Sequence, residues 1–218
     1  MKPIIFGTDS VQAILDGRKT MTRRVIKPQP TNPRWNNIGW SGWDDGHGYK
    51  MRQPYQPGDI LWVRETWQRN NLWYADNDYD GYMCVVYKAD EHSENIFLPH
   101  DDFERHWNNM SGSEPDWHPS IYMPREAARL FLRVTDVRVE RLQDISEADA
   151  VREGCRMPRL GEHVHEGMDL RMIVTAQDAF TVLWDRINGK RDGGAYAWDK
   201  NPWVWVLSFE RIEKPEGV

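Results

Sequence analysis

The chain has 218 residues and a formal net charge of -6; the length suits one domain with insertions, and the charge excludes a protein that coats nucleic acid through bulk electrostatics. The two cysteines, Cys84 and Cys155, are far apart in the sequence, so neither a disulfide framework nor a zinc knuckle is indicated. No apolar run approaches the roughly 20 residues of a membrane span, and a signal peptide's apolar core is missing, so we expect a cytoplasmic protein without a membrane partner.

The N-terminal segment predicts a short strand over residues 3–6, followed by a helix. Asp9 or Ser10 can cap this helix, and Gly17 ends it. A basic segment, residues 17–24, follows directly and contains Arg18, Lys19, Arg23 and Arg24. Any contact of the protein with nucleic acid is therefore expected to be local.

The β-branched residues of 20–26 predict a strand that follows the Gly17 turn. In such a strand Thr22 and Arg24 share one face, whereas Lys19 and Arg23 lie on the other. A regular strand would direct Lys19 away from Thr22. Cooperation between these two side chains therefore requires Lys19 to lie in the turn, before regular pairing starts.

Residues 28–56 are rich in proline and glycine and show no sustained period, so we interpret them as an ordered loop or an insertion. Pro57-Gly58-Asp59 is a turn signal that introduces a predicted strand over residues 60–67. Alternation along this strand places Glu65 on the same face as Leu61, Val63 and Trp67. The Glu65 carboxyl is therefore predicted on a mainly apolar surface.

The second half of the chain alternates between clear patterns and a stretch without one. Strands are predicted at 82–87, at 130–139 and from 203 onward, whereas residues 90–119 are acidic, show no clear period and are interpreted as a second insertion. Ser146 with Asp149 resembles a capping box that opens a short helix ending at Gly154. Thr175 is predicted to cap a helix whose apolar stripe belongs to the core.

Three motifs in this order resemble a known family. They are Gly17-Arg18-Lys19-Thr20 with Thr22 and Arg24, then Pro57-Gly58-Asp59 before a strand with Glu65, then Asp144-Ile145-Ser146-Glu147 to Glu153-Gly154. Together they resemble the ASCH domain, a small barrel similar to the PUA fold of RNA-modifying enzymes. The resemblance implies an α+β fold: a PUA-like barrel with flanking helices, forming a single domain over 1–218 with insertions at about 28–56 and 90–119. It is greatest with the longer bacterial and prophage ASCH proteins.

Small bacterial ASCH proteins include amidohydrolases that deacetylate N4-acetylcytidine with a lysine, a threonine three residues later and a glutamate from a following strand. Lys19, Thr22 and Glu65 match those positions in order and spacing. The resemblance implies that Lys19 accepts a proton, that Thr22 is the nucleophile and that Glu65 donates a proton. A lysine acts as a base only when neighbouring cations or desolvation destabilise its ammonium form, and an apolar site favours the acid form of a glutamate.

Each of these residues also has a structural interpretation. Lys19 and Thr22 could belong to a solvated basic strand end. Glu65 could be the ion-pair partner of Lys19 or of an arginine, and in that role it would hold two strands together. A permanent tight ion pair would oppose base catalysis by the lysine, so proximity alone does not decide between the two interpretations.

We predict three substrate-binding residues beside these positions. Arg24 shares the face of Thr22, Trp67 shares the face of Glu65, and Arg18 adjoins Lys19. Arg23 is expected at the surface. Trp62, Trp67, Trp184, Trp203 and Trp205 are predicted to be core residues, whereas Trp35, Trp40 and Trp43 lie in the first insertion and could stack on a base.

The sequence gives no reason to expect a metal or an organic cofactor. His163 and His165 are two residues apart, but they belong to no Cys/His or His-Glu-x-x-His pattern, and no phosphate-binding glycine loop is present. The leading hypothesis is a hydrolase acting on an N4-acylated cytosine nucleoside or a related modified base. The alternative is a PUA-like module that binds RNA or a modified nucleotide without turnover. The oligomeric state stays open.

Overall fold

The computed structural model describes residues 1–30, 43–44, 50–51, 53–75, 80–108, 117–156 and 174–215. These residues have an α+β fold that divides into two compact units. Their strands are β1 (Lys2–Ile5), β2 (Met21–Val25), β3 (Trp43–Asp44), β4 (Lys50–Met51), β5 (Ile60–Arg64), β6 (Trp67–Tyr74), β7 (Gly81–Tyr87), β8 (Ser93–Leu98), β9 (Phe131–Arg141) and β10 (Trp203–Ile212). Their α-helices are α1 (Thr8–Leu15), α2 (His100–Asn108), α3 (Glu147–Arg152) and α4 (Ala176–Asn188).

The first unit comprises residues 1–16, 60–133 and 211–218. Within it β1 runs parallel to β5, with Ile4 opposite Val63, and β5 runs antiparallel to the first residues of β9, with Leu61 opposite Leu132. Strands β6, β7 and β8 form a separate antiparallel sheet. Alternate residues of β7 are buried, as expected for a strand with one covered face.

A strand and a helix occupy part of the second predicted insertion, for which the sequence predicted no element. Strand β8 pairs with β7, and α2 follows after Pro99. Asp101 and Asp102 lie in the first turn of α2, where their negative charges interact favourably with the positive end of the helix dipole. Phe103 of α2 is fully buried in a cluster that also contains Trp67, Met83 and Tyr87. Two aromatic residues, Phe103 and Trp107, in an otherwise polar stretch were too weak a pattern to predict the helix.

The opposite face of the β6–β8 sheet carries a row of aromatic side chains whose outer members, Trp73 and Phe97, are exposed and whose middle member, Tyr82, is half-buried. Trp73, Tyr82 and Phe97 are register partners on the three strands. The ring centroids of Trp73 and Tyr82 are 5.8 Å apart, and those of Tyr82 and Phe97 are 5.4 Å apart. These contacts across neighbouring strands stabilise the sheet without burial.

The second unit comprises residues 17–59 and 134–210. Here β10 lies between the remainder of β9 and β2, and it is antiparallel to β2. Helices α3 and α4 cover one face through a core that includes Met21, Phe180 and Trp184. The other face carries a second cluster, which contains Ile26, Val139, Trp205 and Leu207.

Several local predictions are confirmed in these elements, and others need correction. Thr175 caps α4 with a complete capping box. Trp67, Trp184 and Trp205 are buried as predicted, but Trp62 and Trp203 are only partly buried. The strand predicted over 60–67 is interrupted, because β5 ends at Arg64 and β6 begins at Trp67. No helix in the described ranges is both long enough and apolar enough to cross a membrane.

Candidate functional site

Lys19 lies just before β2, in the segment that follows the Gly17 turn. Gly17 has a φ of 72°, a conformation that favours glycine, and Lys19 forms an isolated antiparallel bridge with Glu153. The Lys19 Nζ donates hydrogen bonds to Glu153 Oε2 at 2.7 Å and to the Glu153 carbonyl oxygen at 2.8 Å. Lys19 is only 4% exposed. It therefore precedes regular pairing and is held by one buried carboxylate.

Arg23 was expected at the surface, and that prediction is wrong. Its side chain is fully buried and contacts three carboxylates: Glu140 and Asp149 at 3.0 Å each and Glu153 at 3.4 Å. Its guanidinium carbon also lies 5.8 Å from the centre of the Phe180 ring. Arg23 occupies the face of β2 that helices α3 and α4 cover, and their acidic side chains make the burial of its charge possible.

These contacts join Lys19 and Arg23 into one buried ionic cluster. Arg138 extends the cluster, because it contacts Asp149 at 2.6 Å and also bonds Glu140. The positive charges of Lys19 and Arg23 are thus compensated inside the protein. The basic segment presents less positive charge to solvent than its composition indicates.

Thr22 and Arg24 lie on the opposite face of β2 from Arg23. Their register partners on β10 are Leu207 and Trp205, and directly opposed residues of antiparallel strands point to the same side. Thr22 is 4% exposed. Burial lowers the pKa of Arg24, whereas Tyr55 and Glu153 act in the opposite direction. The prediction that Thr22 and Arg24 share a face is confirmed.

Glu65 occupies the break between β5 and β6 and is 1% exposed. Its backbone N–H donates to the Met123 sulfur at 3.2 Å. Its two carboxylate oxygens each accept a hydrogen bond of 2.9 Å from Arg129, one from Nε and one from Nη2. Burial raises the pKa of Glu65, and Arg129 opposes the rise without cancelling it. Glu65 is buried, but its carboxylate contacts the Arg129 guanidinium, so its ion-pair partner is an arginine.

Sequence reasoning did not find two residues that hold the predicted catalytic side chains. Glu153 was quoted only as part of a motif, yet it fixes the Lys19 amine. Arg129 was not singled out at all, although it binds Glu65. Arg129 is 64 residues from Glu65 and Glu153 is 134 residues from Lys19, so local patterns give no signal for either pair.

The other two predicted substrate-binding residues differ in their surroundings. Trp67 is 5% exposed, its ring centre is 4.9 Å from that of His118, and it belongs to the buried cluster of the first unit. Arg18 is exposed, and its Nη1 donates to the Gly154 carbonyl oxygen at 3.0 Å. Arg18 is therefore accessible from solvent, whereas the Trp67 ring is buried against His118.

The remaining sequence candidates concern metal binding, base stacking and the buried thiol. In the part of the chain that the structure describes, no three His, Cys, Asp or Glu side chains are placed to share a metal ion. His163 and His165 lie outside the described residues, as do Trp35 and Trp40, and of Trp43 only the backbone is described. Burial raises the pKa of the Cys155 thiol to about 12, despite the nearby charge of Lys19, so this thiol is a poor nucleophile.

The predicted catalytic residues thus occur in two units and in three different surroundings. Lys19 and Thr22 belong to the second unit, where Lys19 joins the ionic cluster and Thr22 lies beside Arg24 in the register of β2. Glu65 belongs to the first unit and is paired with Arg129. No protein-family model, curated protein or solved structure matches the chain. The resemblance to ASCH domains is therefore carried by the motif residues alone.

Proposed function

We propose that the protein is a hydrolase that cleaves the amide of N4-acylated cytosine nucleosides or of a related modified base. In this proposal the fold is a PUA-like barrel of the ASCH type, and Lys19, Thr22 and Glu65 perform the chemistry. Arg18, Arg24 and Trp67 bind the substrate. No cofactor takes part.

The observation that carries the proposal is the burial of all three chemical groups. Among the described residues, seven polar or charged residues are buried: Lys19, Thr22, Arg23, Glu65, Glu153, Asn188 and Ser208. Three of these seven are the positions that the ASCH resemblance selects. Burying such groups is unfavourable unless they are paired, and functional sites are where perturbed, sheltered groups concentrate. Their burial supports a chemical role over a solvated strand end.

The proposed reaction has two steps that balance in atoms and charge. In the resting protein Lys19 is ion-paired with Glu153 at 2.7 Å, so the reaction requires the Lys19 proton to pass to the Glu153 carboxylate first. The amine then accepts the hydroxyl proton of Thr22 while the Thr22 oxygen bonds to the acyl carbon. The bond between the acyl carbon and N4 breaks as Glu65 gives its proton to the nitrogen. Water then attacks the Thr22 ester and returns a proton to Glu65, and the Lys19 ammonium reprotonates the Thr22 oxygen.

The test is release of cytidine from N4-acetylcytidine and several N4-acyl analogues by the purified full chain. Thr22→Val removes the hydroxyl at nearly constant volume and is expected to abolish turnover. Glu65→Gln and Lys19→Met each remove one proton-transfer group and are expected to lower kcat by about 10²- to 10⁴-fold.

Matched controls separate chemistry from folding. Thr20→Val removes a hydroxyl just before β2, and Lys27→Met removes a lysine that pairs with Asp192 at the surface. Both controls are expected to keep wild-type turnover, and all variants are compared by thermal unfolding. Wild-type release of cytidine no faster than that of Lys19→Met would contradict the proposal.

A further inference from the structure

Arg129 connects the buried Glu65 to a carboxylate at the surface. Its Nε and Nη2 donate to Glu65, and its Nη1 and Nη2 donate to Asp90 at 2.8 and 2.9 Å. The side chain of Glu65 is 1% exposed and that of Asp90 is 37% exposed. One guanidinium therefore holds two carboxylates in very different environments.

The Arg129 guanidinium is itself fixed in position. Its central carbon lies 3.9 Å from the centre of the Tyr87 ring, and the Tyr87 hydroxyl donates to the Ala127 carbonyl oxygen at 3.0 Å. Tyr87 is fully buried, so its ring gives the guanidinium a fixed surface for a cation–π contact. Because the guanidinium is planar and held against the Tyr87 ring, its two hydrogen bonds fix the orientation of the Glu65 carboxyl group.

We propose that Arg129 is a positioning residue for the Glu65 carboxyl and that the negative charge of Asp90 contributes to the electrostatic potential at Glu65. This proposal rests on the proposed function. Asp90 lies in the turn between β7 and β8. The turn between β7 and β8 would thus act on the proton donor through Arg129.

The charges around Glu65 give this proposal a direction. Arg129 favours the ionised form of Glu65, whereas the negative charge of Asp90 favours the protonated form. The other titratable neighbour is Tyr87, whose pKa is raised first by burial and then by Glu94, so it stays neutral. Removing the charge of Asp90 and removing that of Arg129 should therefore move the titration of Glu65 in opposite directions.

The first experiment measures kcat and KM against pH for N4-acetylcytidine hydrolysis. A proton donor gives an alkaline limb, because activity is lost as Glu65 ionises. Asp90→Asn is expected to move this limb to lower pH and Arg129→Met to higher pH. Arg129→Lys keeps the charge without the fork, so its limb should stay near that of the wild type while kcat falls by up to about 100-fold at unchanged KM.

The second experiment does not depend on turnover. The Glu65 carboxyl is titrated by carbon NMR in ¹³C-glutamate-labelled wild type, Asp90→Asn and Arg129→Met, with the resonance assigned from Glu65→Gln. Opposite shifts of the titration midpoint are expected. Arg125→Met is the matched control, because Arg125 is exposed and no ion pair joins it to this cluster. Asp90→Asn changes a surface side chain, so the test remains valid if Arg129→Met does not fold.

The outcomes distinguish the two proposals. If the wild type turns over the substrate and the alkaline limbs of the pH profiles of all variants coincide with that of the wild type, the role of Arg129 and Asp90 is overturned. The hydrolase proposal is then unaffected. Absence of wild-type turnover would overturn the hydrolase proposal and, with it, the positioning role in catalysis. An unchanged NMR titration in Asp90→Asn would overturn the electrostatic role of Asp90 in either case.

Discussion

Single residues show why the buried charges of this protein occur in pairs. An isolated buried charge is strongly unfavourable, whereas a hydrogen-bonded pair is tolerated. Lys19 has Glu153 at 2.7 Å and Glu65 has Arg129 at 2.9 Å. The sequence predicted the burial of Glu65 from alternation alone. It could not predict that Arg23 is buried, because that depends on acidic side chains contributed by β9 and α3.

Glu65 should leave a pH-dependent signature in stability. Burial raises its pKa in the folded state above its ordinary value, so the native protein binds this proton more tightly than the unfolded chain. The stabilisation from Glu65 is then fully present below the unfolded pKa and is lost as pH rises through the folded pKa. Relative to Glu65→Gln, the wild type is therefore expected to lose stability as pH rises through this window.

The measurement is urea unfolding of both proteins between about pH 4 and 8, the range in which a raised carboxyl pKa acts. Glu213→Gln serves as the control because Glu213 is exposed. Its stability should run parallel to that of the wild type. A wild type that gains stability relative to Glu65→Gln as pH rises would mean that the Arg129 pair outweighs burial.

Secondary-structure elements show where a sequence motif is complete and where tertiary contacts change it. At α4 the Thr175 hydroxyl accepts from the Asp178 N–H and the Asp178 carboxylate accepts from the Thr175 N–H, as a capping box requires. At α3 the Ser146 hydroxyl caps the Asp149 N–H. The Asp149 carboxylate, however, bonds Arg23 and Arg138. The capping-box motif predicted where both helices begin, but it did not predict that the Asp149 carboxylate binds two arginines.

The packing of α2 on β7 gives a prediction at this scale. A Cβ added at Gly81 would lie 2.1 Å from two ring carbons of Phe103, a fully buried residue of α2. Phe103 cannot move without disturbing its cluster, so Gly81→Ala is expected to destabilise the protein by about 1–3 kcal/mol. Chemical unfolding of the variant and the wild type measures this difference.

Gly7→Ala is the matched control for this substitution. Nothing lies within 4 Å of a Cβ built at Gly7, and Gly7 has a φ of -76°, which alanine adopts readily. Because glycine is preferred to alanine at a helix N-cap, its effect should be about 0.5–1 kcal/mol, smaller than that of Gly81→Ala. Equal stability of Gly81→Ala and Gly7→Ala would show that α2 does not pack on β7 as described.

At the scale of the whole molecule, each unit is built from segments that are far apart in the sequence. The first unit is assembled from three segments and the second from two. Strand patterns predicted most strands individually, because each pattern is local. The strand order and the partners Arg129, Glu153 and Asp149 depend on contacts between distant segments. Helix α2 and strand β8 were missed for a different reason, because their stretch of sequence has no strong hydrophobic period.

The distribution of charge over the molecule separates the hydrolase from an RNA-binding module. RNA affinity depends on the number of phosphates that exposed cations neutralise, and it falls steeply with salt when that number is large. In the basic segment, Lys19 and Arg23 are buried against carboxylates, and the net charge of the chain is -6. We therefore expect weak binding of short single-stranded RNA, with a shallow salt dependence.

Titration of a labelled RNA at about 50 and 200 mM salt, a span over which multi-phosphate binding falls steeply, measures this slope. The Arg23 side chain is fully buried, so a folded Arg23→Gln variant should keep the RNA affinity and its salt dependence unchanged. Arg18→Gln removes an exposed guanidinium and should weaken whatever binding exists. Tight, salt-sensitive binding that persists in Thr22→Ala, together with no release of cytidine, would favour the binding module, since a module of that kind needs phosphate contacts but no nucleophile.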